Sequence, residues 1–555
     1  MPPIVPVLAP LVVAAIVIAF IFSRYLSAFA PAIAAPTVHF TDVTTESGLN
    51  FVQDNGTRGE DGLPPSTLGS GVAILDYDKD GAADIFFVNG REWSESDDTP
   101  PAGSRCALFR NDGHGHFTDV SAAAKADIAV QGMGVAVGDY DNDGYPDLFI
   151  TTVGENRLLH NRGDGTFEEV GEKAGVAGEK RSWSTGALWL DLDGDGRLDL
   201  IVCRYTRWSQ EIELNAAFNI AAVGRSYGTP AGFVSASPLV YRNLGDGRFV
   251  EEAARFGLSN ISPDTRLPRP EPLGVAPVDS NGDGKIDLLF VYHAGEPTLF
   301  LNEGGGHFRE WRAPSDRREG SASLIAFNAF PMRRNRETSD AVAALGATYG
   351  RDAASNSEAL RLGPKLGMAM FDYDLDGHLE IFSPNGRAEP ELSHFEAGRN
   401  FASTPTLLWD WGNGWAEANL LDGNWASPLV ARGIATADFD GDGDLDVIVT
   451  QNGGAARLLR NDEHVGNAWL RIELVGTSCA RDASGARVDV YTPRHTITHL
   501  VAPAMGYLSQ SEHTLTFGLG EDSRVRRVTV TWPDGKRQDV TAPAINRRLI
   551  VTEPK

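Results

Sequence analysis

Six nine-residue segments of this chain carry carboxylates at a spacing suited to gripping a hard cation. The candidate ligands of the first are Asp76, Asp78, Asp80 and Asp84, and of the second Asp139, Asp141, Asp143 and Asp147. The third offers Asp191, Asp193, Asp195 and Asp199, and the fourth Asp279, Asn281, Asp283 and Asp287. The fifth offers Asp372, Asp374, Asp376 and Glu380, and the sixth Asp438, Asp440, Asp442 and Asp446. The shared pattern is D-x-[DN]-x-D-G-x-x-[DE], with oxygen donors at positions 1, 3, 5 and 9. Glycine at position 6 permits a sharp turn, and the carbonyl of position 7 can add an oxygen. Oxygen-only donors in a flexible loop favour Ca²⁺ over a transition metal, so up to six calcium ions are expected. A single copy would read as a solvated acidic turn; six at one spacing do not. An EF-hand would need Glu at position 12, where this chain has Phe87, Ile150, Val202, Phe290, Ser383 and Val449. The fourth loop, with Asn281, and the fifth, with Glu380, depart most from the pattern and are expected to be the weakest sites.

The elements that must position these loops recur with them. Before each comes a strand of small residues, as in Gly71-Val-Ala-Ile-Leu75, Gly134-Val-Ala-Val-Gly138 and Gly433-Ile-Ala-Thr-Ala437. After each comes a short apolar run such as Leu148-Phe-Ile-Thr-Thr152, the pattern of a buried strand. A third strand and Gly-rich turn follow in Leu108–Phe117, Leu158–Phe167, Val240–Phe249 and Leu299–Phe308, leading to a fourth strand. Four short strands per repeat predict an all-β chain built as a β-propeller over residues 38–463. Six blades are clear, and uneven intervals between loop starts (63, 52, 88, 93 and 66 residues) leave room for a seventh. The sixth unit lacks its fourth strand, and Phe40-Thr-Asp-Val43 near the other end of the chain can supply it and close the ring. The long intervals hold insertions near 204–237 and 310–363, the latter with a helical-looking Asp340–Ala347.

From residue 464 to 555 the acidic loops give way to alternating strands that predict a β-sandwich-like domain. The runs Asn467–Ile472, Arg481–Val488, Gly506–Ser511, Phe517–Gly520 and Val530–Gly535 resemble an ASPIC/UnbV domain. The upstream loops resemble FG-GAP/VCBS repeats, and the combination is similar to the cartilage acidic protein family over about residues 38–553. The resemblance implies calcium binding, an extracytoplasmic setting and roles in adhesion or recognition. Three positions depart from the family pattern: no Cys accompanies Tyr227-Gly-Thr-Pro230, Ala468 replaces a histidine, and Glu512 replaces an aspartate.

Residues 1–24 read as a membrane anchor or signal segment and 25–37 as a linker. Ile4–Phe22 is a 19-residue apolar run, near the length that spans a bilayer and longer than a usual signal-peptide core. An extracytoplasmic chain held by this segment is expected, periplasmic or on the cell surface, although Arg24 after the run weakly favours the opposite orientation. Three cysteines, Cys106, Cys203 and Cys479, are too few for a disulfide framework and are expected to be buried. The net charge is −26, and 23 carboxylates sit at the proposed ligand positions. Such a surface argues against nucleic-acid partners.

No nucleophile elbow, P-loop, HExxH or CxxC is present, so no catalytic residue is named. His114, His116, His307 and His378 fall in turns or loops and are expected to be exposed. Trp93, Trp208, Trp409, Trp411, Trp415 and Trp425 lie in connections or an outer hairpin, where each could stack on a sugar or pack the rim. The leading expectation is a recognition, adhesion or scaffold protein whose partner is a glycan or an envelope protein. An enzyme with its site at the central channel and a fixed subunit of a membrane complex are the alternatives.

Overall fold

The computed structural model describes residues 38–555 apart from 58–62, 94–103, 213–218, 221–223, 226–233, 260–271, 293–296, 312–366, 387–401, 411–414, 419–426, 464–465 and 505. The N-terminal segment 1–37, the run Asp340–Ala347, Trp411 and Trp425 therefore lie outside the described residues. Among the described residues no helix is long and apolar enough to cross a membrane.

Among the described residues, six four-stranded antiparallel blades make up the propeller. The first blade runs through Val72–Leu75, Asp84–Phe87, Ala107–Asn111 and Phe117–Asp119, and the second through Gly132–Gly138, Asp147–Thr152, Arg157–Asn161 and Phe167–Glu169. The third uses Trp183–Leu190, Asp199–Arg207, Leu239–Asn243 and Phe249–Glu251, with a short extra strand, Val234–Ser235, paired to Asp199–Arg207. The fourth is Pro272–Val278, Asp287–Tyr292, Thr298–Gly304 and His307–Glu310, and the fifth Ala369–Phe371, Glu380–Ser383, Thr406–Asp410 and Trp415–Glu417. The sixth takes Ala431–Ala437, Asp446–Gln451 and Arg457–Asn461 from late in the chain, and Phe40–Asp42 pairs with Arg457–Asn461 to complete it. The N-terminal strand thus closes the last blade, as the truncated sixth repeat implies.

Each acidic loop joins the first strand of its blade to the second, so antiparallel pairing puts all six loops on one face. The connections from second to third strands leave from the opposite face. Second strands are mostly buried, Asp147–Thr152 entirely so, which is why they read as apolar runs. Cores lie between neighbouring blades: Ile74, Phe87, Phe109 and Phe117 of the first blade pack on Ala435, Phe439, Ile448 and Leu458 of the sixth.

The C-terminal module is a sandwich. One sheet orders Leu515–Gly520, Ala468–Val475 and Arg548–Thr552; the other orders Thr496–Leu500, Arg487–Tyr491, Arg527–Thr531 and Arg537–Thr541. Leu470, Ile472, Phe517, Val488, Val528, Val530 and Trp532 close the space between them.

Candidate metal loops and the filled channel

Position 1 of each loop organises the turn. Asp76 accepts the Asp80 and Gly81 N–H groups at 3.0 Å each, and Asp139 accepts those of Asp143 and Gly144 at 3.0 and 2.8 Å. Position 9 is buried in every loop: Asp84, Asp147, Asp199, Asp287 and Glu380 are 0% exposed and Asp446 2%. In the first, third and fifth loops, positions 1, 3 and 9 each bring an oxygen within 4.8 Å of the other two; Asp139, Asp141 and Asp143 do so in the second. Burial pushes the Asp84 carboxyl up to about 8, and those of Asp147 and Asp199 to about 7. Burial, reinforced by neighbouring carboxylates, also holds Asp372 and Glu380 well above the usual range.

The polar atoms left over fit a cation. Asp78, Asp193, Asp374 and Asp440, all at position 3, each keep a buried Oδ1 without a hydrogen-bond partner. A buried oxygen without a donor is costly, and a hard divalent ion supplies what several converging carboxylates lack. These loops could therefore hold the ion whose ligands the sequence proposes.

A second repeated device ties the loops to the blades. The position-9 carboxylate takes one N–H from its own loop, as Tyr77 N to Asp84 at 3.1 Å. It takes another from an asparagine ending the third strand, as Asn111 N to Asp84 at 2.8 Å. That asparagine's amide then reaches the preceding blade's loop: Asn111 Nδ2 to Phe439 O at 2.9 Å, Asn161 to Tyr77 O at 2.9 Å, Asn243 to Tyr140 O at 2.8 Å and Asn461 to Tyr373 O at 2.7 Å. In the fifth blade Asp410 stands at this position, and Glu380 Oε1 is left buried and unpartnered.

The loops are not equivalent. Arg110 donates to Asp78 at 2.6 Å and Asp80 at 2.5 Å in the first. In the second, His160 Nδ1 lies 3.1 Å from Asp147 Oδ1 and 3.5 Å from Asp141 Oδ2, and its hydrogen bond to Asp147 raises its pKa. In the sixth, the module's buried Arg471 donates to Asp438 at 2.6 Å and to Glu512.

The C-terminal module sits on this loop face. Arg548 donates to Gly81 O at 2.9 Å, Arg481 N to Asn142 Oδ1 at 2.9 Å, Asn467 to Asp374 O at 2.8 Å and Gly520 N to Leu375 O at 2.9 Å. From it, residues 506–512 enter the central channel along the innermost strands of the sixth, first and second blades. Gln510 N donates to Val72 O at 3.0 Å, Ile74 N donates to Gln510 O at 3.0 Å, and Glu512 N donates to Thr436 O at 3.2 Å. The Gln510 side chain accepts from Val137 N at 2.8 Å and donates to Val137 O at 3.0 Å. Tyr507 donates its hydroxyl to Leu68 O at 3.0 Å and packs with Leu63, Met133, Trp183, Tyr205 and Trp208. The small residues of the inner strands make room for this segment: a Cβ on Gly71 would lie 2.3 Å from Leu508 O.

Residues 506–512 thus occupy the channel beside the sixth, first and second blades, and a cavity of about 500 Å³ remains beside the fourth and fifth, lined by Pro277, Met368, Met370, Ile434 and Ser511. Trp208 is 2% exposed, so its reading as a sugar shelf gives way to packing, while Trp93 is half-buried and donates to Ser66 Oγ at 2.9 Å. Trp409 is half-buried. His114, His116, His307 and His378 are exposed and the three cysteines are buried and free, as expected. The asparagine clamp, Arg471 and the channel-filling role of residues 506–512 escaped sequence reasoning, although the recurring Asn and Gly71-Val-Ala pattern carried a signal.

Two family models match parts of this chain. The model for ASPIC and UnbV matches residues 476–555, and that for FG-GAP-like repeats matches 99–150 and 139–202. Cartilage acidic protein 1 of Xenopus tropicalis is 25% identical over 554 residues, spanning 88% of this chain and 74% of that protein. The Homo sapiens protein of the same name is 24% identical over 551 residues, spanning 88% and 73%. Among solved structures, an Agrocybe aegerita lectin, described for its recognition of non-reducing terminal N-acetylglucosamine, aligns at 15% identity. That alignment covers 72% of this chain and 81% of the lectin, with a TM-score of 0.32. The chain thus joins FG-GAP-like repeats to a C-terminal ASPIC and UnbV domain and is similar over most of its length to cartilage acidic protein 1.

Proposed function

We propose that this chain is a calcium-stapled, extracytoplasmic recognition or scaffold protein. FG-GAP-like repeats and the cartilage acidic protein relatives point to an extracellular, adhesion-type protein. The observation that carries the calcium reading is the set of buried, unpartnered position-3 oxygens in four of the six loops. Calcium in these loops neutralises carboxylates that burial otherwise drives toward protonation, and stiffens the face on which the module rests. Six divalent ions would bring the net charge of −26 to about −14.

The module rests on the loop face, so the partner surface is the opposite face, from which the long connections leave. Loops presented there by a rigid ring are suited to recognising a glycan or an envelope protein, and the N-terminal segment tethers the ring to a membrane. The test is a glycan array and an envelope-extract capture, each run in millimolar calcium and in EDTA. A partner retained in calcium and lost in EDTA supports the reading. No retained partner in either format refutes recognition, and retention indifferent to EDTA refutes the calcium staple.

A further inference from the structure

Where the module rests on the first and second loops, a cavity of about 490 Å³ remains between them. Asp482 and His513 of the module face it, and neither belongs to an acidic loop. Asp482 Oδ1 accepts the Ser484 N–H at 3.0 Å, while Oδ2 is buried without a hydrogen-bond partner. His513 Nε2 is likewise buried and unpartnered. These two atoms stand 3.6 Å apart, and the Asp482 side chain is only 10% exposed. The separation is too long for a hydrogen bond. It is close to the spacing of two donors on one ion with bonds of about 2.0–2.2 Å.

Lys79 and Arg481 also line the cavity, and the carboxylates of the wall other than Asp482 are committed. Arg471 holds Asp438 and Glu512, and Arg548 lies 2.9 Å from Glu473. Asp76, Asp139 and Asp143 belong to the acidic loops. Among the described residues, Asp482 is thus the one carboxylate on this wall that lies outside the acidic loops and has His513 rather than an arginine beside it. Burial also pushes the His513 imidazole toward its neutral form, in which Nε2 offers a lone pair.

We propose that Asp482 Oδ2 and His513 Nε2 are the protein ligands of a transition-metal ion of the Zn²⁺ class, bound between module and propeller. Imidazole nitrogen beside carboxylate oxygen selects such an ion over Ca²⁺, and the cavity has room for water on the remaining coordination positions. This site is separate from the calcium loops and goes beyond the function proposed above.

The test uses the full chain, stripped with EDTA and resaturated with about 2 mM Ca²⁺. Zn²⁺ is titrated calorimetrically, and Co²⁺ is used as a visible-absorbing substitute. One Zn²⁺ per chain is expected, with affinity reduced at least about tenfold in both H513Q and D482N. H160Q, which alters a histidine beside the second loop, and H378Q, which alters one within the fifth, are expected to leave it unchanged. Melts in calcium report folding of each variant, and D482N, nearly isosteric, carries the test if H513Q is destabilised. Absence of Zn²⁺ binding, binding unaffected by H513Q and D482N, or loss that follows H160Q instead would overturn the assignment.

Discussion

Replacing Gln510 by alanine should loosen the module from the propeller by a predictable amount. Gln510 is 1% exposed, and its amide satisfies both Val137 N, at 2.8 Å, and Val137 O, at 3.0 Å. These groups lie on the inner edge of the second blade's first strand, which has no further strand beside it. Alanine keeps the backbone pairing of residue 510 with Val72 and Ile74 but leaves the Val137 N–H and C=O buried and unpaired. At about 1–3 kcal/mol per orphaned group, the expected cost of the two is about 2–6 kcal/mol. Q510E should be worse: it keeps an acceptor for Val137 N, loses the donor for Val137 O and buries a carboxylate. The assay is urea unfolding in calcium, followed by tryptophan fluorescence, because Trp183 and Trp208 share a cluster with Tyr507. A Q510A penalty below about 0.5 kcal/mol, the size of an ordinary surface substitution, would refute the channel-filling role of residues 506–512.

Three further outcomes follow from the same contacts. R471M leaves Asp438 and Glu512 buried without their shared cation and should cost about 3–5 kcal/mol in urea; a neutral result would mean both carboxylates find water. N161A removes amide donors to Tyr77 O and Pro146 O at 2.9 and 3.2 Å and should cost about 2–4 kcal/mol; retained stability would show that the clamp adds nothing between blades. Without metal, Asp84, raised to about 8, and Asp147 and Asp199, raised to about 7, bind protons more tightly folded than unfolded. That contribution is complete below the unfolded carboxylate value of about 4 and is lost as pH rises through about 7–8. In EDTA the urea midpoint should therefore fall from about pH 5.5 to about pH 8.5, and calcium should reverse the trend; a flat profile would contradict it.

The acidic loops and the blade plan were legible because both are local and repeated. Ligand spacing within nine residues needs no tertiary knowledge, and the missing sixth-blade strand pointed to Phe40–Asp42. The asparagine clamp was visible only as a turn signature, since its partner lies in another blade, 328 residues away for Asn111 and Phe439. Residues 506–512 stood out as a motif, but a polar segment does not declare which strand edges it will satisfy, and Gln510 meets Val137 at a separation of 373 residues. Trp208 looked like a connection residue and is 2% exposed, because the channel segment and neighbouring blades build an apolar cluster around it. The uneven loop intervals leave room for a seventh blade; the described residues form six, and 312–366 lie outside them.

The central claim is that the six loops are calcium sites on which the fold depends. Calcium stoichiometry on the EDTA-stripped full chain, by titration calorimetry with parallel thermal melts, tests it most directly. At a few kilocalories or less per occupied site, several filled loops add a large stabilisation. Five or six ions per chain and a marked rise in melting temperature are predicted, with the fourth and fifth loops filling last. One or two ions, with melting indifferent to EDTA, would contradict the account and make most of these loops structural turns.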